Sequence, residues 1–286
     1  MAGPLYGFLL YLALFAISAH PQTREPVELE PLKAAFPLSP YTHVDDQGTP
    51  YGIAPTLVSI ISERIGRKIE VQVMPYLRTL HALKMGQVDI GFGVRARASS
   101  VYLPDNIVVA SEPQLILPTS FYALPDSNFH IESMEQAGHY RIGSVRLGQQ
   151  ASHAWNSAYD YKDAYSLSKA LQAHHVDLAT LDPGSANFIT QELRIPLERL
   201  YDYNHMEITP VFSNASPRIK DPLAFCQSFV ETRVELFKSG EYEKILNDNR
   251  MLHLLPYYNQ VKILPGHCHL TAPTSVKHAI KENMSQ

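Results

Sequence analysis

The sequence predicts an α/β fold made of two similar lobes, and three observations point there. The first is composition: 286 residues, 45% hydrophobic and 18% charged, leave room for a real core under a solvated surface. The second is a β-α-β-α-β order in the first third of the chain. The third is a phrase that occurs twice. "ALKMGQVDIG", from Ala82 to Gly91, returns as "ALQAHHVDLA", from Ala170 to Ala179, with Ala, Leu, Val and Asp in the same register. Four identities in ten residues are thin evidence alone, but each copy stands at the same place in its own β-α-β order.

In chain order, "VELEPLKAAFPLSPY" gives a short strand and a Pro-punctuated loop. "TLVSIISERIG" carries Leu57, Ile60, Ile61 and Ile65 at the spacing of one buried helical face, and Gly66 stands where a helix stops. "KIEVQVM" alternates as a strand, "LRTLHALKMG" is a second helix closing on Gly86, and "VDIGFGV" is a short apolar strand. Strands separated by helices in this way run parallel. A second unit begins near Phe121, with "YRIGSV" as strand, "SLSKALQAHH" as helix and "VDLATL" as buried strand. Asp89 and Asp177, near the starts of the two repeated strands, are expected to be structural acceptors of backbone hydrogen bonds. From Pro210 a strand-like start leads to a long helix bearing Leu223, Phe225, Phe229, Val234 and Leu236, broken at Gly240 and followed by a short helix. The tail from Pro256 has no periodicity and is expected to be a surface extension or partly disordered.

The first residues, "MAGPLYGFLLYLALFAISAHPQ", hold an apolar run from Leu5 to Ile17 followed by small residues, the pattern of a secretory signal peptide over residues 1–19. The run is shorter than the ~20 residues that span a bilayer. A net charge of −4 supplies no basic field for nucleic acid or anionic lipid. Only two cysteines are present, Cys226 and Cys268. In an exported chain that count permits one disulfide, tying the tail to the long helix. "GHCHL" places two His around Cys268, a spacing that cannot close a tetrahedral metal site alone. No Gly-x-Ser-x-Gly, His-Glu-x-x-His or P-loop pattern occurs, and no cofactor or metal is expected.

Taken in order, "GTPYGIAPTLVSIISERIG", "PYLRTLHALKMGQVDIGFG", "SMEQAGHYRIGSVRLGQ", "LSKALQAHHVDLATLD" and "FKSGEYEKIL" resemble the periplasmic solute-binding protein superfamily, in particular its amino-acid-type group with type II topology. The resemblance implies two lobes joined by a hinge, with ligand in the cleft between them. It would place lobe 1 at 25–116 with a return segment at 211–255, lobe 2 at 117–210, and a C-terminal extension at 256–286.

The same resemblance directs attention to particular residues. Tyr41 stands in the loop where the family has an aromatic wall, and Tyr76 and Arg78 follow a strand that would end at the cleft. "GVRARASS" occupies the place of the family's Thr-x-x-Arg, which makes Arg95 and Arg97 candidates for a ligand's negative group. "GSVRLGQQAS" reads as strand, turn and helix start, where free backbone N–H groups favour an anion, so Arg146, Gly148 and Gln149 form a second candidate seat. Asp182 ends "VDLATLD", where the resemblance implies an acid for the ligand's amino group. The function so implied is that of an exported, monomeric protein that captures a small polar ligand for a membrane transporter or sensor. A cyclohexadienyl-dehydratase-like lyase and a stand-alone sensory module are the alternatives.

Overall fold

The computed structural model describes residues 29–96, 103–111, 113–145, 158–259 and 266–271. The signal-peptide expectation therefore lies outside the described residues.

The first β-α-β-α-β run forms as its periodicity predicts. β1 (Leu32–Phe36) passes into a loop holding a small hairpin, β2 (His43–Val44) and β3 (Pro50–Tyr51), and then into α1 (Ile53–Arg64). This helix buries Ile53, Leu57, Val58 and Ile61, a stripe facing the sheet. Gly66, at φ 63°, turns the chain out of it. β4 (Ile69–Val73) lies parallel to β1, α2 (Tyr76–Lys84) crosses back, and β5 (Ile90–Ala96) joins the other side of β1.

β6 (Ile107–Ala110) and β7 (Leu115–Ala123) lead to the second lobe, formed by α3 (Met134–Ala137), β8 (Ile142–Val145), β9 (Ala158–Tyr161), α4 (Ala164–Gln172), β10 (Leu178–Leu181) and α5 (Pro183–Gln191). β11 (Glu198–Ser213) carries the chain back to α6 (Pro222–Lys238), α7 (Glu241–Asp248), α8 (Leu255–Tyr258) and β12 (Cys268–Leu270). One curled sheet runs through both lobes in the order β4-β1-β5-β11-β7-β10-β8-β9, with β6 on β11 and β12 on β6.

The long strands β7 and β11 serve both lobes. β11 pairs with β5 through Met206–Phe212 and with β7 through Glu198–Ile208. Along β7, Leu115 and Leu117 pack with the first lobe's core, whereas Tyr122 packs with the second lobe's Leu167, Leu171 and Ile189. Two adjacent antiparallel strands thus form the connection between the lobes.

The repeated phrase now has a physical meaning. Asp89 accepts a hydrogen bond from Lys33 N at 2.7 Å, and its own N donates to Lys33 O at 2.8 Å. Asp177 does the same with Arg141, at 2.9 and 2.8 Å. Each Asp pins the incoming strand to the neighbouring strand of its lobe. Gly86 and His174 hold equivalent places after the two helices, both with positive φ, 69° and 54°. The copies differ in surroundings. Asp89 is fully buried and also accepts from Arg218 Nε at 2.7 Å and from Ser216 Oγ. The guanidinium of Arg218 donates further to Gly86 O and Gln87 O. Asp177 meets the exposed side chain of Arg141 at 2.6 Å, and those hydrogen bonds hold its carboxyl below the usual range.

Part of the expected C-terminal extension, residues 256–259 and 266–271, is described. Cys226 and Cys268 are joined in a disulfide with Cα atoms 6.1 Å apart, fixing β12 to α6. β12 pairs antiparallel with β6, and Thr271 Oγ1 accepts from Ile107 N and donates to Pro104 O. These residues add a short strand to the first lobe's sheet. Tyr258, at the start of the expected extension, is buried against Tyr242 and Phe237. A strand of three residues is too short to carry a periodicity, so its pattern was silent.

Candidate interlobe binding site

The carboxyl ends of parallel strands are where an α/β sheet leaves a crevice for ligands. Two such ends face each other here. The loop after β1 brings Tyr41 from the first lobe, and the end of β10 brings Asp182 from the second. The Tyr41 hydroxyl donates to Asp182 Oδ1, a hydrogen bond that joins the lobes.

Local sequence explains how each partner is held. Asp182 is the N-cap of α5, with Pro183 at the first helical position, an arrangement that starts a helix firmly. Its Oδ1 accepts from Gly184 N at 2.9 Å and Ser185 N at 3.1 Å, while Oδ2 accepts from Ser185 Oγ at 2.5 Å. Gly184 makes room for the tyrosine: a Cβ there would stand 2.3 Å from the Tyr41 hydroxyl oxygen. Burial, and after it the neighbouring charge of Asp182, raises the Tyr41 hydroxyl well above its ordinary pKa, so it stays protonated and donates. A second contact lies beside the first. The His43 ring stacks on Tyr51 at 5.2 Å and lies 6.0 Å from the ring of Phe188 on α5.

Further groups gather around this pair. Tyr122 of β7 is pushed up to about 12, by burial first, with Arg199 opposing and Asp182 adding to the rise. Arg199 is committed to Asp202, at 2.8 and 2.6 Å, and to Ser120 Oγ at 3.2 Å. His253, in a helical turn at Leu252–Leu254, lies within electrostatic reach of Asp182. Burial lowers its pKa, with the charge of Asp182 partly offsetting that, and its Nε2 is buried with no hydrogen-bond partner among the described residues. A buried polar atom without a partner is rare enough to ask what it serves.

The residues singled out from sequence separate in the structure. Tyr41 and Asp182 are brought together. Tyr76 is buried in the first lobe's core with Ala35, Leu80 and Leu83, and Arg78 is exposed on α2 with no ion pair among the described residues. Arg95 lies in β5 opposite Glu207 of β11. Arg97, Arg146, Gly148 and Gln149 lie outside the described residues. Sequence reasoning missed Tyr122, Gly184 and His253. The Asp-Pro-Gly run at 182–184 signals an N-cap and a close approach, whereas His253 carried no local signal. Among the described residues no group of three His, Cys, Asp or Glu gathers to hold a metal, and no helix is long and apolar enough to cross a membrane. A depression of about 440 Å³ opens on the second lobe; of the cleft groups above, only Arg199 lines it.

No protein-family model and no curated protein sequence matches this chain. Solved structures do. A histidine kinase sensor domain with similarity to periplasmic binding proteins superposes with TM-score 0.64 at 18% identity, covering 77% of this chain and 96% of that one. The GluR0 ligand-binding core from Nostoc punctiforme, in complex with L-glutamate, gives 0.61 at 16% identity over 77% of this chain and all of the other, 100%. A mutant of ArgBP from T. maritima gives 0.60 at 17%, covering 76% and 93%. The ancestral amino acid-binding protein AncCDT-1, a precursor of cyclohexadienyl dehydratase, gives 0.59 at 15%, covering 76% and 94%. Two lobes on one curled sheet, crossed by two strands and matched over most of the described chain, make this a protein of the type II periplasmic-binding-protein fold.

Proposed function

We propose that the chain is an exported solute-binding protein that captures a small polar ligand, an amino acid or related organic anion, between its lobes for a transporter or sensor. The observation that carries this is the Tyr41–Asp182 hydrogen bond, which joins strand ends of the two lobes where a ligand would be enclosed. Lobe boundaries near residues 117 and 210 fit the crossing of β7 and β11. Export is supported by the apolar leader and by the Cys226–Cys268 disulfide, a bond that persists in oxidising compartments.

Native mass spectrometry of the protein as purified, followed by a thermal-shift screen of amino acids, organic acids and short peptides, tests it. A ligand at 100 times its Kd adds about 2.7 kcal/mol of stability. Failure of every compound to raise the melting temperature, with no bound mass in the native spectrum, counts against a binding role. A dehydratase-like lyase is the second reading, favoured by the likeness to AncCDT-1, a precursor of cyclohexadienyl dehydratase; elimination would need an acid and a base in one cleft. Turnover of prephenate or arogenate by purified protein decides for it.

A further inference from the structure

We infer that the loop after β1, with its small hairpin, is a clasp: through Tyr41 and His43 it grips α5 and holds the two lobes together with the chain's own groups, with no ligand required. This goes beyond the binding reading and does not depend on it.

A clasp needs an anchor on each side and a contact between them. On the first lobe the loop is tied down at its backbone. Tyr41 O accepts from Ala54 N, in the first turn of α1, at 3.1 Å, and Tyr41 N donates to Ser39 Oγ at 3.2 Å. Ser39 and Thr42 exchange backbone hydrogen bonds at 3.0 and 3.1 Å. Gly52 leaves room for this approach, since a Cβ there would stand 2.8 Å from Tyr41 O. On the second lobe α5 is fixed by the Asp182 cap and by Ala186 and Ile189 in the core.

Between the anchors there are two contacts. The Tyr41 hydroxyl donates to the Asp182 carboxylate, and hydrogen bonds to a carboxylate are of the stronger, charge-assisted kind. The Tyr41 ring lies over the first turn of α5: the three atoms nearest to a Cβ added at Gly184 would be its Oη, Cζ and Cε1, at 2.3, 2.5 and 2.7 Å. One helical turn further along, the His43 ring lies 6.0 Å from that of Phe188, which packs on the second lobe's core. Contacts a turn apart on one helix fix its direction as well as its distance. Gly184 is also where the clasp can be opened without harm to either lobe. It does not have a positive φ, so its backbone accepts alanine, a better helix former, and the added methyl group meets Tyr41 first.

The test is small-angle X-ray scattering and amide hydrogen exchange on the purified protein, shown by native mass spectrometry to carry no bound mass, and on its Tyr41→Phe, Gly184→Ala and Ser185→Ala variants. Tyr41→Phe removes the hydroxyl and keeps the ring, and Gly184→Ala wedges the ring away. Ser185→Ala is the control, removing a hydrogen bond to Asp182 that lies wholly within the second lobe. The first two variants are expected to show a larger radius of gyration than wild type and exchange at least tenfold faster in residues 39–43 and 183–188, while β1 and β8 change less than threefold. Ser185→Ala should keep the wild-type radius. Unchanged radius and exchange in Tyr41→Phe and Gly184→Ala, or an equal expansion in Ser185→Ala, overturns the clasp and leaves the ligand-binding reading to its own screen. Expansion in the first two with no compound bound in that screen upholds the clasp and defeats the binding reading. The two substitutions lie in different lobes, so should one lose its folded circular dichroism spectrum, the other decides.

Discussion

Replacing Asp89 and Asp177 in turn asks one question of two copies of a single motif. Each carboxylate receives the backbone N–H of the incoming strand, at 2.7 Å from Lys33 and 2.9 Å from Arg141. Losing a hydrogen bond of that kind costs about 1 kcal/mol. For Asp177→Ala little more is expected, because its ionic partner is a solvated arginine and exposed ion pairs contribute little. Asp89→Ala differs in what it leaves behind. The Arg218 side chain is only 8% exposed and Asp89 0%, so removing the carboxylate takes the Asp89 acceptor from a buried guanidinium and from the Ser216 hydroxyl. Breaking a buried pair from one side costs about 3 to 5 kcal/mol. That is a large fraction of the roughly 5–15 kcal/mol by which folded domains are stable. Urea unfolding of both variants, followed by circular dichroism, reads the difference as a shift in midpoint at constant slope. Asp89→Ala/Arg218→Met should recover part of the loss, since the buried charge that Asp89 faced is gone. Equal destabilisation of the two single variants, or no recovery in the double, would refute the account of the repeat.

Other perturbations follow from the same coordinates. Gly86→Ala sets a Cβ 2.3 Å from Ala215 O at a positive φ and is expected to cost well over the ~1 kcal/mol of a left-handed non-glycine residue. His174→Gly, at the equivalent place, should be neutral or slightly stabilising by thermal melting. Reducing the disulfide, which closes a separation of 42 residues, should cost about 4 kcal/mol on chain-entropy grounds and release amide protection in β12 before the rest of the sheet. Burial pushes the hydroxyl of Tyr242 up to about 12, above its unfolded value of 10, so its contribution is complete below pH 10 and is lost as pH rises towards 12. Urea midpoints at pH 8, 10 and 11 check this, and a midpoint that holds steady to pH 11 contradicts it.

What the sequence revealed and what it hid have physical causes. α1 and α2 showed themselves because each buries one face, and the Asp-bearing strands because they are short apolar runs bounded by turn signals. β11 did not. Its first half is partly exposed, its last five residues are fully buried, and bulges interrupt its pairing with β7, so "ERLYDYNHMEITPVFS" shows neither alternation nor a continuous apolar run. β7 changes core partners along its length and so carries no single face. α5 begins "PGSANF", turn-like in composition, although an Asp followed by Pro is also how a capped helix opens. Asp182 and Tyr41 were singled out through the family resemblance, and the structure brings the two side chains together. Tyr76 was misleading because an aromatic residue opening a helix looks the same in sequence whether it turns inward or towards a ligand; here it packs in the core. His253 is 71 positions from Asp182, and only the fold brings it within reach.

The central claim is that ligand is held between the lobes at Tyr41 and Asp182. A crystal structure of the protein carrying whatever compound native mass spectrometry or the thermal-shift screen identifies tests this most directly. The account predicts density for the compound enclosed between the loop after β1 and the start of α5, within contact of Tyr41 and Asp182. Density confined to the open face of either lobe, with no contact to Tyr41 or Asp182, would contradict it.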